Sequence, residues 1–574
     1  MEHFDLRVAL AQLNTVVGDV AGNAQKVLVA IQESADVGAD ILVVPELALS
    51  GYPPEDLLLR PSFARESRQA LDELAPAVRR GVAIIGFAEW DRDCFNSVAV
   101  VADGRVQAVY RKRFLPNYGV FDEARYFQAG QSTTVVEVNG SRVATAVCED
   151  VWYPTAASLD LVAARPDVVA VASASPYHQG KGDRREAMLA TRASDAGAAL
   201  AFCNQVGGQD ELVFDGRSAV FDATGEVVAR ATEFDEELLV ADLEPEAGER
   251  RRLREPLVRR LPGDGPREAT RLEALPAKTG PPLEQRIAPT LDPEAQVWHA
   301  LRVGVRDYVD KNGFPGVVIG LSGGIDSSLT AAIAVDALGP DRTLGVSLPS
   351  RLTSEESKLG ASDLAEALGI RIAEVPISGP VDALEEALAD VLAGHERDVT
   401  EENLQARARG TLLMAISNKL GHLVLATGNK SEMSVGYSTL YGDMVGGFAP
   451  LRDVSKTWVY RLSRWRNSTE GRDVIPAAVI ERPPTAELRP DQLDTDSLPA
   501  YDVLDPILTD YVEKDLTPDE LVEAGHAPEV VGRVVGLVDR AEYKRRQGPI
   551  GIKITPRAFG KDRRMPITNR HVDN

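Results

Sequence analysis

The residues best suited to covalent chemistry in this sequence are a glutamate, a lysine and a cysteine, each at or just beyond the end of an apolar run. Glu46 follows Ile41-Leu42-Val43-Val44-Pro45, Lys112 follows Val109-Tyr110-Arg111, and Cys148 follows Val143-Ala144-Thr145-Ala146-Val147. A thiol attacks an amide carbon as its thiolate. A neighbouring carboxylate can take the proton, and an ammonium can favour the thiolate and stabilise the oxyanion. Glu46, Lys112 and Cys148 therefore supply base, electrophile and nucleophile without histidine, and the seven histidines form no motif that would set up a Cys–His dyad. Taken alone, Cys148 reads as a buried core cysteine, the usual fate of a free thiol. Its register with the Glu46 and Lys112 strings favours chemistry instead, whereas Cys94 and Cys203 lack such support and read as structural.

A second constellation is contiguous: Gly320-Leu321-Ser322-Gly323-Gly324-Ile325-Asp326-Ser327-Ser328, between an apolar strand and a helix. The glycines let the backbone turn tightly and aim N–H groups at an anion, and the following helix adds its positive end. Ser322, Ser327 and Ser328 add hydroxyl donors. No lysine follows, so the string is not a Walker A loop, and it lacks GxGxxG spacing.

These residues need strands to carry them. Apolar runs predict strands at 7–12, 41–44, 82–87, 97–101, 143–147, 168–172 and 199–203, several apolar on both faces and so buried on both. Helical patterns at 23–37 and 62–78 lie between them, which makes the first part α/β. From about residue 243 to 291 the composition shifts: 249–260 is dominated by Glu and Arg, and Pro and Gly recur from 262 to 289, as in a linker. A second α/β pattern begins with a helix at 293–311. Strands at 317–321, 342–346 and 371–375 then alternate with helices at 327–338 and 354–368, the order of a doubly wound parallel sheet. The expected division is residues 1–245, a linker at 246–290, and residues 291–574.

At 574 residues the chain is too long for one ordinary core. Its 63 basic and 87 acidic residues give a net charge of −24, which argues against nucleic acid and anionic membranes as partners. Three widely spaced cysteines are neither a disulfide framework nor a metal site. With no signal peptide and no spanning segment, a cytoplasmic location is expected.

The motifs also carry resemblances. Ser-Gly-Gly-Ile-Asp-Ser-Ser resembles the pyrophosphate loop of the N-type ATP pyrophosphatases, which cleave ATP between the α and β phosphates. Five further strings narrow this to the NAD synthetase family: 402–410, Ala426-Thr427-Gly428-Asn429-Lys430-Ser431-Glu432, 437–443, Lys456-Thr457 and 542–547. The resemblance implies ATP binding by residues 320–327, here Gly320, Leu321, Ser322, Gly323, Gly324, Ile325, Asp326 and Ser327, and by Thr427. It implies deamido-NAD binding by Asn403, Glu432 and Lys544, and Mg²⁺ at Asp326 and Glu432, since a hard cation on phosphate takes oxygen ligands.

The N-terminal strings Val44-Pro45-Glu46, Tyr110-Arg111-Lys112 and Val147-Cys148-Glu149-Asp150-Val151-Trp152 resemble the nitrilase/amidase superfamily, whose fold is an α-β-β-α sandwich. Residues 115–123, Ser175-Pro176-Tyr177 with Lys181, and 207–212 are similar to the glutaminase domain of glutamine-dependent NAD synthetases. By that match Tyr118, Ser175 and Lys181 hold L-glutamine, and Glu123 assists the catalytic set. The family further implies an ammonia tunnel, a homo-oligomer, and a reaction in which deamido-NAD, ATP and glutamine yield NAD⁺, AMP, pyrophosphate and glutamate. Three rivals predict different behaviour: an amidotransferase for another carboxylate, an amidase with a nucleotide-sensing domain, and a ligase fed by free ammonia. A loop at 434–447, rich in Gly, Ser and Tyr, is a candidate lid over the nucleotide.

Overall fold

The computed structural model describes residues 6–254, 270–272, 283–489 and 492–571. Contacts divide the chain into two compact units, Met1–Gln209 with Val213–Asp292, and Asp210–Leu212 with Pro293–Asn574. Of the stretch read from composition as a linker, residues 255–269 and 273–282 lie outside the described residues, and a helix at Pro245–Arg254 begins it.

In the first unit two sheets pack face to face. One has the spatial order Glu237–Leu243, Leu6–Gln12, Ile41–Val43, Val82–Trp90, Cys94–Ala102, Arg105–Arg111. The other runs Val227–Arg230, Ala219–Phe221, Ala199–Asn204, Val168–Ser173, Ser141–Val147, Val135–Val138, Thr270–Arg271. Side chains alternate along a strand, so a strand apolar at every position serves two cores. Leu6, Val8 and Leu10 enter the core between the sheets with Val143, Val147, Val168 and Ala170. Ala9 and Ala11 face outward, onto Val27, Ile31 and Leu71 of the helices Val20–Asp36 and Pro61–Leu74. The second sheet does the same, with Ala146, Val171 and Phe202 packed on Leu189 and Ala193 of the helix Lys181–Ala196. The result is the expected α-β-β-α sandwich.

Two of the strands outside the predicted apolar runs are explained by their place. Arg105–Arg111 and Glu237–Leu243 are the two edges of the first sheet. Glu237–Leu243 fully buries one face, through Leu239, Ala241 and Leu243, and lays Leu238 and Val240, partly buried, against the outer core. Only Tyr110 of Arg105–Arg111 is fully buried.

The second unit is built on a four-stranded parallel sheet in the order Arg371–Glu374, Thr343–Ser347, Val317–Gly320, Leu423–Leu425. The first strand in sequence, Val317–Gly320, is internal. The chain builds outward on one side and then returns to add Leu423–Leu425 on the other. This reversal places a topological switch point at the carboxyl end of Val317–Gly320, where such sheets bind ligands. The helix Val399–Leu420 packs Leu413 on one face, against Val318, Val346 and Val424. A separate helical core gathers Leu504, Ile507, Val512, Leu521 and Val534 and reaches Val435, at the end of the helix Lys430–Val435.

Candidate active sites

In the first unit the three strand-end residues are all buried: Glu46, Lys112 and Cys148 are 0%, 1% and 2% exposed. Lys112 Nζ donates to Glu46 Oε1 at 2.7 Å and to Glu123 Oε1 at 2.8 Å. Asn96 Nδ2 also donates to Glu46 Oε1, at 2.7 Å, while among the described residues Glu46 Oε2 accepts only the Ala174 N–H, at 3.0 Å. Oε2 is thus the oxygen of Glu46 with room for a proton. The loop that presents Glu46 lies directly on the neighbouring strand: a side chain at Gly86 would stand 2.2 Å from Pro45 O.

Cys148 closes the strand Ser141–Val147 with φ of +42°, a left-handed conformation that is costly for a side-chain-bearing residue. The turn is held by Asp150, which is fully buried and accepts from Val147 N at 3.1 Å. The same carboxylate accepts from Arg113 N and Phe114 N, at 3.0 and 2.8 Å, and from Tyr110 OH at 2.7 Å. One side chain therefore ties the strand end that carries Lys112 to the strand end that carries Cys148.

Burial, reinforced by Glu46, pushes the Cys148 thiol well above its usual range, against the opposing pull of Lys112. A raised thiol is held protonated, so nucleophilic attack by it would require a base. Lys112 is held above the usual lysine range: burial would lower it, but Glu123 and Glu46 prevail. Burial raises Glu123 to about 7 despite Lys112, and its Oε1 also accepts from Tyr52 OH at 2.8 Å.

The residues expected to hold glutamine lie around this set. Tyr118, about half exposed, donates its hydroxyl to Glu149, itself buried beside Cys148. Ser175 is buried, its Oγ has no hydrogen-bond partner among the described residues, and its N–H donates to Asn204 Oδ1 at 2.8 Å. Lys181 Nζ donates to Pro176 O at 2.8 Å and lies 5.5 and 5.8 Å from the ring centres of Trp152 and Phe121. Burial, with the Arg185 charge, lowers Lys181 to about 8.

In the second unit the Gly-rich string forms a turn at the carboxyl end of Val317–Gly320, leading into the helix Ile325–Leu338. Gly323 has φ of +75°, and a Cβ there would stand 2.1 Å from Ser357 O, so both conformation and space demand glycine. Ser322 Oγ accepts from Gly324 N and meets Ser327 Oγ at 3.1 Å. Residues 320–326 line a cavity of about 290 Å³ with Thr427, Glu432 and Lys456. Asp326 and Glu432, 106 positions apart in the chain, converge on one buried ammonium: Lys456 Nζ lies 2.6 and 3.2 Å from them. Burial, with Asp326 nearby, raises Glu432 to about 8 even though Lys456 opposes it.

Asn403 and Lys544 are not among the residues lining this cavity. Asn403 Oδ1 accepts from Thr439 Oγ1 at 2.8 Å, and Lys544 Nζ donates to Gly436 O and Ser438 O at 2.7 and 2.8 Å. Both therefore tether the 436–439 segment, the start of the candidate lid, while Thr439, Gly442, Asp443 and Val445 of that loop line the cavity.

The carbon–nitrogen hydrolase family profile matches residues 7–252, and the NAD synthase profile matches residues 297–548. Over 569 residues, 98% of this chain and 99% of the relative, the sequence is 50% identical to the glutamine-dependent NAD(+) synthetase of Thermotoga maritima. This chain belongs to the glutamine-dependent NAD(+) synthetases. The Aquifex aeolicus glutamine-dependent NAD(+) synthetase is 45% identical over 98% of this chain and 99% of its own. A solved structure of the Acinetobacter baumannii glutamine-dependent NAD+ synthetase, in complex with ADP, matches with a TM-score of 0.75 and 42% identity, over 99% of this chain and 100% of that one. As a glutamine-dependent NAD(+) synthetase, the protein is a carbon–nitrogen ligase that uses ATP as substrate.

Several partners of the chemistry escaped the sequence reading of this NAD(+) synthetase: Asn96 and the Ala174 N–H on Glu46, Tyr52 on Glu123, and Asp150 as clamp. Asn96 had a signal, since Asn96-Ser97 is a polar pair inside the apolar run 94–102. Lys456 belongs to the family string Lys456-Thr457, and its place between two acids has no signal in the sequence.

Proposed function

We propose that residues 1–245 of this synthetase are the glutaminase, residues 246–290 the connection and residues 291–574 the ATP-dependent synthetase, with Glu46, Lys112 and Cys148 as the glutamine-cleaving set. Tyr118, Ser175 and Lys181 hold the substrate amino acid. Cys148 Sγ adds to the carboxamide carbon as Glu46 Oε2 takes the thiol proton, and Lys112 stabilises the oxyanion. The C–N bond breaks, the proton passes from Glu46 to the departing nitrogen, and NH₃ leaves. Glu46 then takes a proton from water as its oxygen adds to the thioester, and the C–S bond breaks to release glutamate and the thiol. The observation that carries this reading is the buried 2.7 Å bond from Lys112 to Glu46, beside a Cys148 thiol whose ionisation burial opposes.

In the synthetase half, the backbone turn at 320–327 and Thr427 hold the ATP phosphates. The nicotinate carboxylate of deamido-NAD, which Asn403, Glu432 and Lys544 help to bind, attacks the α-phosphorus, and pyrophosphate leaves. NH₃ adds to the carboxyl carbon of the adenylate, AMP leaves, one proton is lost, and NAD⁺ results. Among the described residues no group of three metal-ligating side chains is gathered, so an ion here would complete its shell with phosphate and water oxygens. Asp326 and Glu432 suit that role, because a cationic group already lies within 2.6 and 3.2 Å of both. Mg²⁺ bound there would neutralise charge growing on the departing pyrophosphate.

Ammonia in bulk water at neutral pH is mostly ammonium and not a nucleophile, which favours transfer from one half to the other without release. A homo-oligomer in the cytoplasm fits the family resemblance and the three unpaired cysteines. Among the described residues no helix is long and apolar enough to cross a membrane. The test is NAD⁺ formation from deamido-NAD and ATP with glutamine or ammonium. Cys148→Ala should abolish the first and keep the second, and Asp326→Ala should remove both. Equal loss with both nitrogen donors in Cys148→Ala would overturn the assignment.

A further inference from the structure

The two carboxylates assigned above to a divalent ion are already engaged at every oxygen. Asp326 Oδ2 and Glu432 Oε1 share the Lys456 ammonium at 2.6 and 3.2 Å. Asp326 Oδ1 accepts from Asn429 Nδ2 at 2.9 Å, and Glu432 Oε2 from the Asn429 backbone N–H at 3.4 Å. The Lys456 side chain is 2% exposed, and its ammonium lies 5.3 Å from the centre of the Tyr501 ring. Its backbone is anchored: Lys456 starts the helix Lys456–Glu470, and its N–H donates to Ser431 Oγ at 2.9 Å.

A hard divalent ion needs these oxygens at about 2.0–2.1 Å. An ammonium and a divalent ion cannot hold the same oxygens, because their mutual repulsion across a few ångströms of protein costs several kcal/mol even at an effective dielectric of about 20. The ion can enter only as the ammonium withdraws. A buried ammonium in turn leaves a carboxylate pair only for another anion. Lys456 lines the same cavity as the 320–326 turn, where the nucleotide phosphates are expected, so the phosphate chain is the anion within reach.

We infer that Lys456 is a tethered cation that occupies the divalent-ion position until nucleotide arrives, so that metal and nucleotide enter together. This rests on the reading of Asp326 and Glu432 as ion ligands. Its consequence is order: free Mg²⁺ does not charge the site, and arrival of the triphosphate exchanges one cation for another without leaving two bare carboxylates side by side.

The test uses the full-length protein with Mn²⁺ as the probe, its binding read by electron paramagnetic resonance, so catalysis is not the readout. Wild-type protein should bind little Mn²⁺ alone and bind it tightly with an ATP analogue carrying a methylene between the α and β phosphorus atoms. Lys456→Met and Lys456→Gln should each bind Mn²⁺ without nucleotide roughly tenfold or more tighter than wild type. Melting temperature and glutamine hydrolysis report whether the variants are folded. Should both fail to fold, the wild-type titrations with and without the analogue decide alone. Equal Mn²⁺ affinity of the wild type with and without the analogue overturns the inference. So does absence of any gain in folded Lys456 variants, and if Asp326→Asn still weakens Mn²⁺ in the presence of the analogue, the ligand assignment survives that failure. If Asp326→Asn leaves Mn²⁺ binding unchanged, the ligand assignment falls and the inference falls with it.

Discussion

Asp150→Asn tests whether the geometry of the amidase site depends on one buried carboxylate. Asp150 Oδ1 accepts from Arg113 N and Phe114 N, and Oδ2 from Val147 N and Tyr110 OH. Asparagine has the same shape but must turn its NH₂ toward one of these pairs. Facing Val147 and Tyr110 does least harm, because the Tyr110 hydroxyl can rotate and accept. The Val147 N–H cannot, and a buried donor left unpaired costs about 1–3 kcal/mol. The two remaining bonds lose the charge assistance that roughly doubles their strength. Together the loss of stability should be about 2–4 kcal/mol. Val147 precedes Cys148, and Arg113 follows Lys112, so relaxation of the clamp shifts the Cys148 thiol against the Lys112 ammonium. A displacement of about 1 Å in such a set lowers the rate on the order of a hundredfold. Glutamate release at saturating glutamine should fall accordingly, while ammonium-supported NAD⁺ formation per folded molecule stays at the wild-type level. Tyr110→Phe, which loses one bond of about 0.5–1.5 kcal/mol and orphans no donor, should be much milder. If Asp150→Asn keeps wild-type stability, the buried-donor reasoning is wrong. If stability falls but glutamate release stays within about twofold of wild type, the clamp does not set the geometry of catalysis.

Other perturbations separate the two halves. Gly323→Ala meets Ser357 O at 2.1 Å in a left-handed backbone, and should abolish NAD⁺ synthesis with either nitrogen source but leave glutamine hydrolysis, measured as glutamate release. Lys181 is lowered to about 8, so it is cationic below that pH and loses its proton above it. The KM for glutamine should therefore climb as pH passes 8 with a smaller change in kcat, and Lys181→Met should show a high KM with no such step in its pH profile. Arg185 and Asp215 form a buried two-pronged pair, at 3.0 and 2.8 Å. Arg185→Leu would strand the carboxylate and should cost about 3–5 kcal/mol, seen as a lower denaturant midpoint for the first unit; an unchanged midpoint would mean the pair contributes nothing net.

The sequence by itself determined the element types and the chemical inventory. Runs such as Leu6–Gln12 and Val168–Ser173 are mostly apolar, as strands buried on both faces are, and this was enough to reveal an α/β fold, while the α-β-β-α sandwich was implied by the resemblance of the strings at Glu46, Lys112 and Cys148 to the nitrilase/amidase superfamily. The cradle at 320–328 was legible because its function is local: turn, glycines and hydroxyls are contiguous in the chain. Edge strands such as Arg105–Arg111 were not, since a strand with little buried surface has little apolar signature. What only the tertiary structure decided is who meets whom. Asn96, Tyr52 and the Ala174 N–H reach the Glu46 and Glu123 carboxylates from separate elements, and Asp150 joins two strand ends that lie 36 positions apart at Lys112 and Cys148. Hydrogen bonds and ion pairs act over about 3 Å and carry no trace in residue spacing, so the seating of Lys456 between Asp326 and Glu432 becomes visible only once the chain has folded.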